Sequence, residues 1–189
     1  MKAPYHKMII GGSAGSLMRV LELVTHMKRS MELMVILVFH RKSDEDSLLT
    51  ELISARTELS VKEIEEKELL QPGVIYIAPS DYHILIEKDG TISLDDSEKI
   101  NFSRPSIDVA FESGADAFGD ALVCMLLSGA NADGVEGLMM AQQKGSLTVV
   151  QDPDTAEVSY MPQQALDNMI PDVILFPNES ADFVHRFLA

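Results

Sequence analysis

The sequence contains a single cysteine, Cys124, among 189 residues, so an internal disulfide is excluded. This cysteine usage fits a reducing compartment. Basic residues are also scarce, since 15 Lys and Arg against 30 Asp and Glu give a formal net charge of −15. Proteins that bind nucleic acid rely on clustered Lys and Arg side chains, and the composition therefore argues against DNA or RNA as a partner.

Long apolar runs are absent as well. The longest, at 31–39 and 121–127, are much shorter than the ~20 residues that a membrane span requires. The first residues, MKAPYHK, lack the apolar core of a secretory signal, so we expect a cytoplasmic protein with no membrane insertion. Because 46% of the residues are hydrophobic, a chain of this size can bury a core without a metal or disulfide, and we expect one domain over residues 1–189.

Apolar segments of strand length alternate with amphipathic segments along the whole chain. This pattern predicts an α/β fold with a doubly wound, mostly parallel sheet in a Rossmann-like three-layer sandwich. An Asp-Gly pair at 89–90 predicts one antiparallel hairpin, between segments 83–87 and 91–94. The apolar patterns also predict strands at 34–39 and 173–175 and a helix at 135–143.

Several local features of the helices are also predicted. Ser43 is expected to cap a helix whose inner face carries four aliphatic residues, Leu48, Leu49, Leu52 and Ile53. Pro105 suits the first turn of a helix, and Asn178 is expected to cap the last helix. The charged segment 63–68 is predicted to be a solvated face or a connection.

Functional groups in open parallel sheets gather beyond the carboxyl ends of the strands. Ser13 follows the first predicted strand, within a glycine-rich GxSxG segment at 11–15. The tight strand-to-helix turn of such a motif projects the serine hydroxyl outward as a nucleophile. A glycine-rich first turn binds a phosphate about as often, so a nucleotide-binding protein remains an alternative on this motif alone.

His40 and Asp133 follow two other predicted strands. A dinucleotide-binding unit would carry an acidic residue where this chain has His40. Beside a serine, a neutral imidazole can accept the hydroxyl proton near pH 7, although a solvated surface histidine is the alternative. Asp133 either accepts the other ring N–H of the histidine or simply caps the helix that begins near Val135.

The chain order Ser, His, Asp differs from that of the α/β-hydrolases. Six segments of this chain, in the same order as in the family, resemble the CheB-type chemotaxis methylesterases. They are residues 11–16, the His40 turn, 78–90, 102–113, 126–138 and 151–165. The resemblance implies a serine hydrolase that demethylates glutamate methyl esters on the cytoplasmic helices of chemoreceptors, and also implies glutamine deamidation. It implies that Ser13 is the nucleophile, His40 the base and Asp133 the orienting acid, with no cofactor and no metal.

The resemblance covers a methylesterase catalytic domain and no receiver domain. We therefore expect control by expression, by a partner or by a separate regulatory protein. The remaining histidines show no spacing typical of metal ligands, and Cys124 in an apolar strand is predicted to be a buried hydrophobe.

The resemblance also predicts the walls of the cleft. The backbone N–H of Ala130 is expected to bind the oxyanion, and Met161 lies in a matching segment. Three residues differ from the family pattern. Asn131 and Tyr160 occupy positions where the family has glycine, and Ala14 replaces a threonine found in some members. Arg104 is either solvated or faces an acidic receptor helix. These departures leave a catalytically weakened receptor-binding module of the same fold as an alternative.

Overall fold

The structure, a computed structural model, describes residues 4–40 and 46–188. Its strands in chain order are β1 (Lys7–Gly12), β2 (Met34–Phe39), β3 (Ser60–Glu63), β4 (Val74–Ile77), β5 (His83–Ile86), β6 (Ile92–Asp95), β7 (Leu122–Leu126), β8 (Leu147–Gln151) and β9 (Val173–Leu175). Its α-helices are α1 (Leu17–Thr25), α2 (Asp46–Ser54), α3 (Ile107–Phe118), α4 (Val135–Gln143), α5 (Tyr160–Asn168) and α6 (Ser180–Phe183), which continues into a π-helical turn at Val184–Leu188.

Seven of these strands form a parallel sheet in the order β3-β4-β2-β1-β7-β8-β9. The central strand, β1, pairs with β2 on one side and β7 on the other. Gly12 is level with Phe39 of β2, and Gly11 is level with Leu126 of β7. The chain segments that follow these three strands therefore leave the sheet at the same edge, where open α/β sheets bind their ligands.

Two apolar cores cover the two faces of the sheet. Met8 and Ile10 of β1 pack with residues of α1, α2 and α6, whereas Ile9 packs with residues of α3, α4, α5 and the hairpin. The alternation follows from the two-residue period of a strand. These layers confirm the predicted doubly wound, three-layer α/β sandwich. Among the described residues, no helix is both long and apolar enough to cross a membrane.

The predicted hairpin is confirmed, with β5 and β6 pairing antiparallel in a sheet of their own. Strand β3 at 60–63 was not predicted. Its last residue, Glu63, is also the first residue of the charged segment 63–68. Its side chains are exposed or half-buried because it forms one edge of the sheet, so it lacks the apolar pattern of an inner strand.

The expectations for Pro105 and Asn178 were wrong. Helix α3 begins at Ile107, and Ser106 is its N-cap because its hydroxyl accepts a hydrogen bond from Val109 N at 3.4 Å. Asn178 has a φ of 64°, which ends the preceding turn, and Glu179 is the N-cap of α6. Ser43 lies outside the described residues.

The predicted inner face of α2 is only half correct. Leu49 and Ile53 are buried, but Leu48 and Leu52 are 59% and 39% exposed. Both exposed leucines line a cavity beside the carboxyl edge of the sheet. The helix therefore presents Ile53 to the core, Leu48 and Leu52 to this cavity, and Leu49 to both.

Helices α3 and α4 approach each other closely at Gly137. A Cβ atom at this position would lie 2.6 Å from the backbone oxygen of Asp108, which real Cβ atoms do not tolerate. The Gly137 N–H also donates to the Asp108 carboxylate at 2.7 Å. Glycine is thus required because the two helices meet backbone to backbone.

We predict that Gly137→Ala lowers the free energy of unfolding by about 1 to 3 kcal/mol, because the added methyl group forces the two helices apart. Urea unfolding followed by circular dichroism measures the change. The control is Gln143→Ala on the exposed face of α4, which we expect to change stability by less than about 0.5 kcal/mol. Equal stability of the two variants would contradict the close contact.

Candidate active site

Asp133 lies on the loop after β7 and is completely buried against the N-terminus of α3. Its Oδ2 atom accepts a hydrogen bond from Ile107 N at 2.7 Å. Its Oδ1 atom accepts from the Ser106 hydroxyl at 2.8 Å and from Asp108 N at 3.2 Å. The unpaired amides and the positive end of a helix dipole make such a terminus a site for an anion.

These contacts decide the charge state of Asp133. Burial by itself raises the pKa of this carboxyl group. The hydrogen bond and charge of His40, together with the amides of Ile107 and Asp108, outweigh burial and hold the pKa below its ordinary value. Asp133 is therefore an ionised carboxylate in the interior of the protein.

His40 immediately follows β2, where its backbone N–H donates to Gly12 O at 3.3 Å. Its ring nitrogen Nε2 lies 2.7 Å from Asp133 Oδ2. An ionised carboxylate can only accept a hydrogen bond, so Nε2 carries the proton. In the neutral ring the other nitrogen, Nδ1, consequently has a free lone pair, the form that a general base requires.

Ser13 immediately follows β1, and its backbone N–H donates to Ser128 O at 2.9 Å. It shares with His40 a cavity of about 340 Å³, whose other walls are mainly aliphatic: Leu17, Phe39, Leu48, Leu49 and Leu52. Across the described part of the chain, no hydrogen bond joins the Ser13 hydroxyl to the His40 ring. Instead, His40 Nδ1 lies 3.4 Å from the hydroxyl of Ser103.

The structure thus brings Ser13 and His40 into one cavity and joins His40 to Asp133. Gly129 allows the loop after β7 to reach this place, because a Cβ atom there would lie 3.1 Å from Ser13 Cβ and 2.4 Å from Met161 Cε. Met161 itself is buried, and its N–H donates to Gly129 O at 2.9 Å.

The other predicted cleft residues surround this point. Ala14 and Ala130 are exposed, and among the described residues the Ala130 N–H has no hydrogen-bond partner. Asn131 uses its side chain twice: its Oδ1 atom accepts from Asp133 N at 3.1 Å, and its Nδ2 atom donates to Ser103 Oγ at 3.2 Å. The oxyanion role of Ala130 stays a prediction.

The two predicted substrate contacts have different settings. Arg104 donates from Nη1 to the backbone oxygens of Asp96 and Ser97 at 2.6 and 2.7 Å, so its guanidinium group holds a neighbouring loop. Tyr160 begins α5, one residue before Met161, and is 51% exposed. Contact with a substrate stays a prediction for both.

Sequence reasoning missed three polar residues of the site, Ser103, Ser106 and Asp108. A serine just before an apolar helical pattern is an N-cap signal, so Ser106 was within reach of prediction. Ser103 lies in an irregular turn where both preceding residues, Asn101 and Phe102, have positive φ values of 49° and 63°. Nothing in its local sequence indicates a contact with His40.

Asp108 is a second buried carboxyl group beside Asp133. Its oxygens accept hydrogen bonds from Gly137 N at 2.7 Å and from Asn101 Nδ2 at 2.9 Å. Burial raises the pKa of Asp108, and the charge of Asp133 raises it further, whereas the Gly137 N–H lowers it. The outcome is a pKa raised to about 7.

A larger cavity of about 530 Å³ lies across α1 and is lined by charged side chains, including Arg19, Glu22 and Arg56. It contains neither Ser13 nor His40, so the candidate chemistry belongs to the smaller cavity. No cluster of three or more metal-binding side chains occurs in the part of the chain that the structure describes.

The fold and site together define a Rossmann-like α/β domain with serine, histidine and aspartate at the carboxyl edge of its sheet. The chain belongs to the CheB methylesterase family, whose family model matches residues 8–184. It is similar to the crystal structure of the Thermotoga maritima CheB methylesterase catalytic domain, with a TM-score of 0.88 and 25% identity over 98% of each chain.

Similar sequences carry related names. A Leptospira interrogans protein, provisionally named a protein-glutamate methylesterase/protein-glutamine glutaminase, is 37% identical over 96% of this chain and 94% of its own length. A protein-glutamate methylesterase/protein-glutamine glutaminase of Saccharophagus degradans is 30% identical over 88% of this chain but only 46% of its own length. The predicted family is therefore confirmed, whereas the roles of individual residues stay predictions.

The raised pKa of Asp108 predicts a pH-dependent stability. Between its ordinary value near 3.8 and about 7, the folded protein holds this proton more tightly than the unfolded chain does. The free energy of unfolding should therefore fall as the pH rises through that window. Asp108→Asn removes this dependence, so from pH 5 to pH 8 its stability should improve relative to wild type by about 1 to 3 kcal/mol.

Urea unfolding of both proteins at the two pH values measures this difference. Asp154→Asn, which removes a carboxyl group at an exposed position, is the matched control. A pH-independent difference for Asp108→Asn would show that Asp108 is already ionised at pH 5.

Proposed function

We propose that this protein is a protein-glutamate methylesterase that hydrolyses glutamate methyl esters on the cytoplasmic helices of a chemoreceptor. Family membership and the names of similar proteins support the reaction. The observation that carries the proposal is the hydrogen bond of 2.7 Å between the His40 ring and the buried Asp133 carboxylate. The same ring shares one cavity with Ser13.

The first step is attack by the Ser13 hydroxyl oxygen on the ester carbonyl carbon. As the new C–O bond forms, the hydroxyl proton moves to His40 Nδ1, which exchanges its contact with Ser103 for one with Ser13. The Nε2–H stays hydrogen-bonded to Asp133, and the carboxylate stabilises the imidazolium ion that results. This arrangement requires the proton to enter at Nδ1, because Nε2 is already occupied.

The carbonyl oxygen becomes an oxyanion during this attack. Within residues 4–40 and 46–188 the N–H of Ala130 has no hydrogen-bond partner, and it lies on the loop that Gly129 brings against Ser13, so it is the donor that we assign to the oxyanion. Because this donor belongs to the backbone, the side chain at position 130 is free to vary.

The tetrahedral intermediate then breaks its bond to the methoxy oxygen, which takes the proton from His40 Nδ1 and leaves as methanol. A water molecule attacks the acyl-enzyme, gives a proton to Nδ1, and releases glutamate as the proton returns to Ser13. With a glutamine side chain the corresponding intermediate breaks its C–N bond, and the amide nitrogen takes the proton from His40 Nδ1 and leaves as ammonia, which is the deamidation reaction. No step in this sequence requires a cofactor.

The aliphatic wall of the cavity suits a substrate that lies on a helix. Leu48 and Leu52 are exposed beside Ser13, and we assign them to contact with apolar residues that flank the glutamyl ester. Tyr160 and Arg104 stay candidate contacts. A substrate on cytoplasmic receptor helices places the enzyme in the cytoplasm, where a separate regulatory protein can control it.

We predict that Ser13→Ala lowers the rate of methyl-ester hydrolysis by a factor on the order of 10⁴, as expected for loss of a triad nucleophile. The assay follows volatile methanol released from radiolabelled, methylated receptor membranes. Ser113→Ala, on α3 away from the cavity, should keep the wild-type rate. Near-normal activity of Ser13→Ala would refute the assignment.

A fluorophosphonate probe, which reacts with activated serines, distinguishes the alternatives. We expect it to label wild type and Ser103→Ala but not Ser13→Ala, because only Ser13 is predicted to be the nucleophile. Labelling that is lost in Ser103→Ala and kept in Ser13→Ala would move the nucleophile to Ser103. No labelling of the wild type would favour a receptor-binding module that uses the same cleft.

A further inference from the structure

The structure assigns to Ser103 a positioning role: its hydroxyl holds the His40 ring at Nδ1 in the orientation and tautomer that the base requires, and Asn131 fixes that hydroxyl. This inference rests on the proposed function of His40. It concerns a residue that acts through the ring and not on the substrate.

An imidazole ring that is anchored at one nitrogen can still tilt about that contact. Here the ring has a partner at each nitrogen, since Nε2 contacts Asp133 at 2.7 Å and Nδ1 contacts Ser103 Oγ at 3.4 Å. In the neutral ring Nδ1 is an acceptor, so the Ser103 hydroxyl is the donor. This hydrogen bond favours the tautomer in which Nδ1 keeps its lone pair.

The Ser103 hydroxyl is itself oriented by Asn131. The Asn131 Nδ2 atom donates to Ser103 Oγ at 3.2 Å, and its Oδ1 atom accepts from Asp133 N at 3.1 Å. One asparagine side chain therefore connects the two residues that hold His40. Ser103 is only 8% exposed, so bulk water cannot easily take over its place.

The turn that carries Ser103 is fixed from both sides. Ile100 and Ser103 exchange two backbone hydrogen bonds, of 2.8 and 3.2 Å. The Asn101 Nδ2 atom donates at 2.9 Å to Asp108, in the first turn of the helix whose N-terminus binds Asp133. Ser103 and Asp133 are thus held relative to the same helix end, which sets the position of the ring between them.

The contact between Ser103 and His40 is also easily given up. At 3.4 Å it is long for a hydrogen bond, and the backbone oxygen of Asn101 lies at the same distance from Ser103 Oγ. When the Ser13 hydroxyl approaches Nδ1, the Ser103 hydroxyl gives up the ring and turns to the backbone oxygen of Asn101. Ser103 therefore holds the ring at rest and releases it for the reaction.

Kinetics of Ser103→Ala and Ser103→Thr test this role, with a small activated ester such as p-nitrophenyl acetate as substrate. Because Nδ1 gives up this contact before it takes the Ser13 proton, loss of the hydrogen bond does not itself slow the reaction; the ring of Ser103→Ala instead gains orientations in which Nδ1 is turned away from Ser13. If this freedom is worth as much as one neutral hydrogen bond, about 0.5 to 1.5 kcal/mol, kcat falls by about 2- to 12-fold with little change in KM. Ser103→Thr keeps the hydroxyl and should recover most of kcat. Ser113→Ala loses a hydroxyl that donates to a backbone oxygen and should behave as wild type.

A second measurement is independent of activity. In protein labelled with ¹⁵N-histidine, the Nδ1 chemical shift of His40 should move in Ser103→Ala toward that of an acceptor without a hydrogen bond, and return in Ser103→Thr. An unchanged shift together with wild-type kcat in Ser103→Ala would overturn the inference. If wild type hydrolyses no ester, the proposed function fails, yet the shift still decides whether Ser103 holds the ring.

The role of Asn131 is tested by a double-mutant cycle. Because Asn131 acts on the Nδ1 side through Ser103, Asn131→Ala should reduce kcat less in the Ser103→Ala background than in wild type. Strictly additive effects on kcat would show that Asn131 does not act through Ser103.

Discussion

The site depends on one buried charge, the carboxylate of Asp133 at the N-terminus of α3. Removing a carboxylate from water costs several kcal/mol unless partners replace the lost hydration. Here four donors do so: the His40 ring, the Ser106 hydroxyl and the backbone amides of Ile107 and Asp108. The same contacts fix the loop after β7, the start of α3 and the residue after β2 relative to one another, so satisfying this charge also assembles the site.

The parallel sheet explains why residues far apart in the chain can meet at this charge. Strand β1 lies between β2 and β7, and the register brings the residues that follow all three to one edge. Two close approaches refine this placement, since Gly129 lets the loop after β7 contact Ser13 and Gly137 lets α4 contact the backbone of α3. The topology brings the groups near each other, and the two glycines set their final separation.

The difference between sheet topology and close contacts explains which parts of the structure the sequence could predict. Strands β2 and β9 and helix α4 have the predicted bounds, because their apolar patterns report burial directly. Placing Ser13, His40 and Asp133 at strand ends also predicted that they share one edge. Edge strand β3 and the exposed side of α2 were missed, since neither position is decided by apolar periodicity. Ser103 could not be predicted, because its contact with His40 depends on a turn with two positive φ values and on a partner 63 residues away.

The two neighbouring buried aspartates divide the charge between them. Asp133 has four donors and is ionised, whereas Asp108 has two and a pKa raised to about 7, so Asp108 is the one that takes up a proton as the pH falls below neutral. Two adjacent buried carboxylates would repel each other if both were charged. Keeping the charge on Asp133 places it where an imidazolium ion at His40 would need a counter-ion. Asp108 then serves the site through Asn101, whose amide it binds, and hence through the turn that presents Ser103 to the ring.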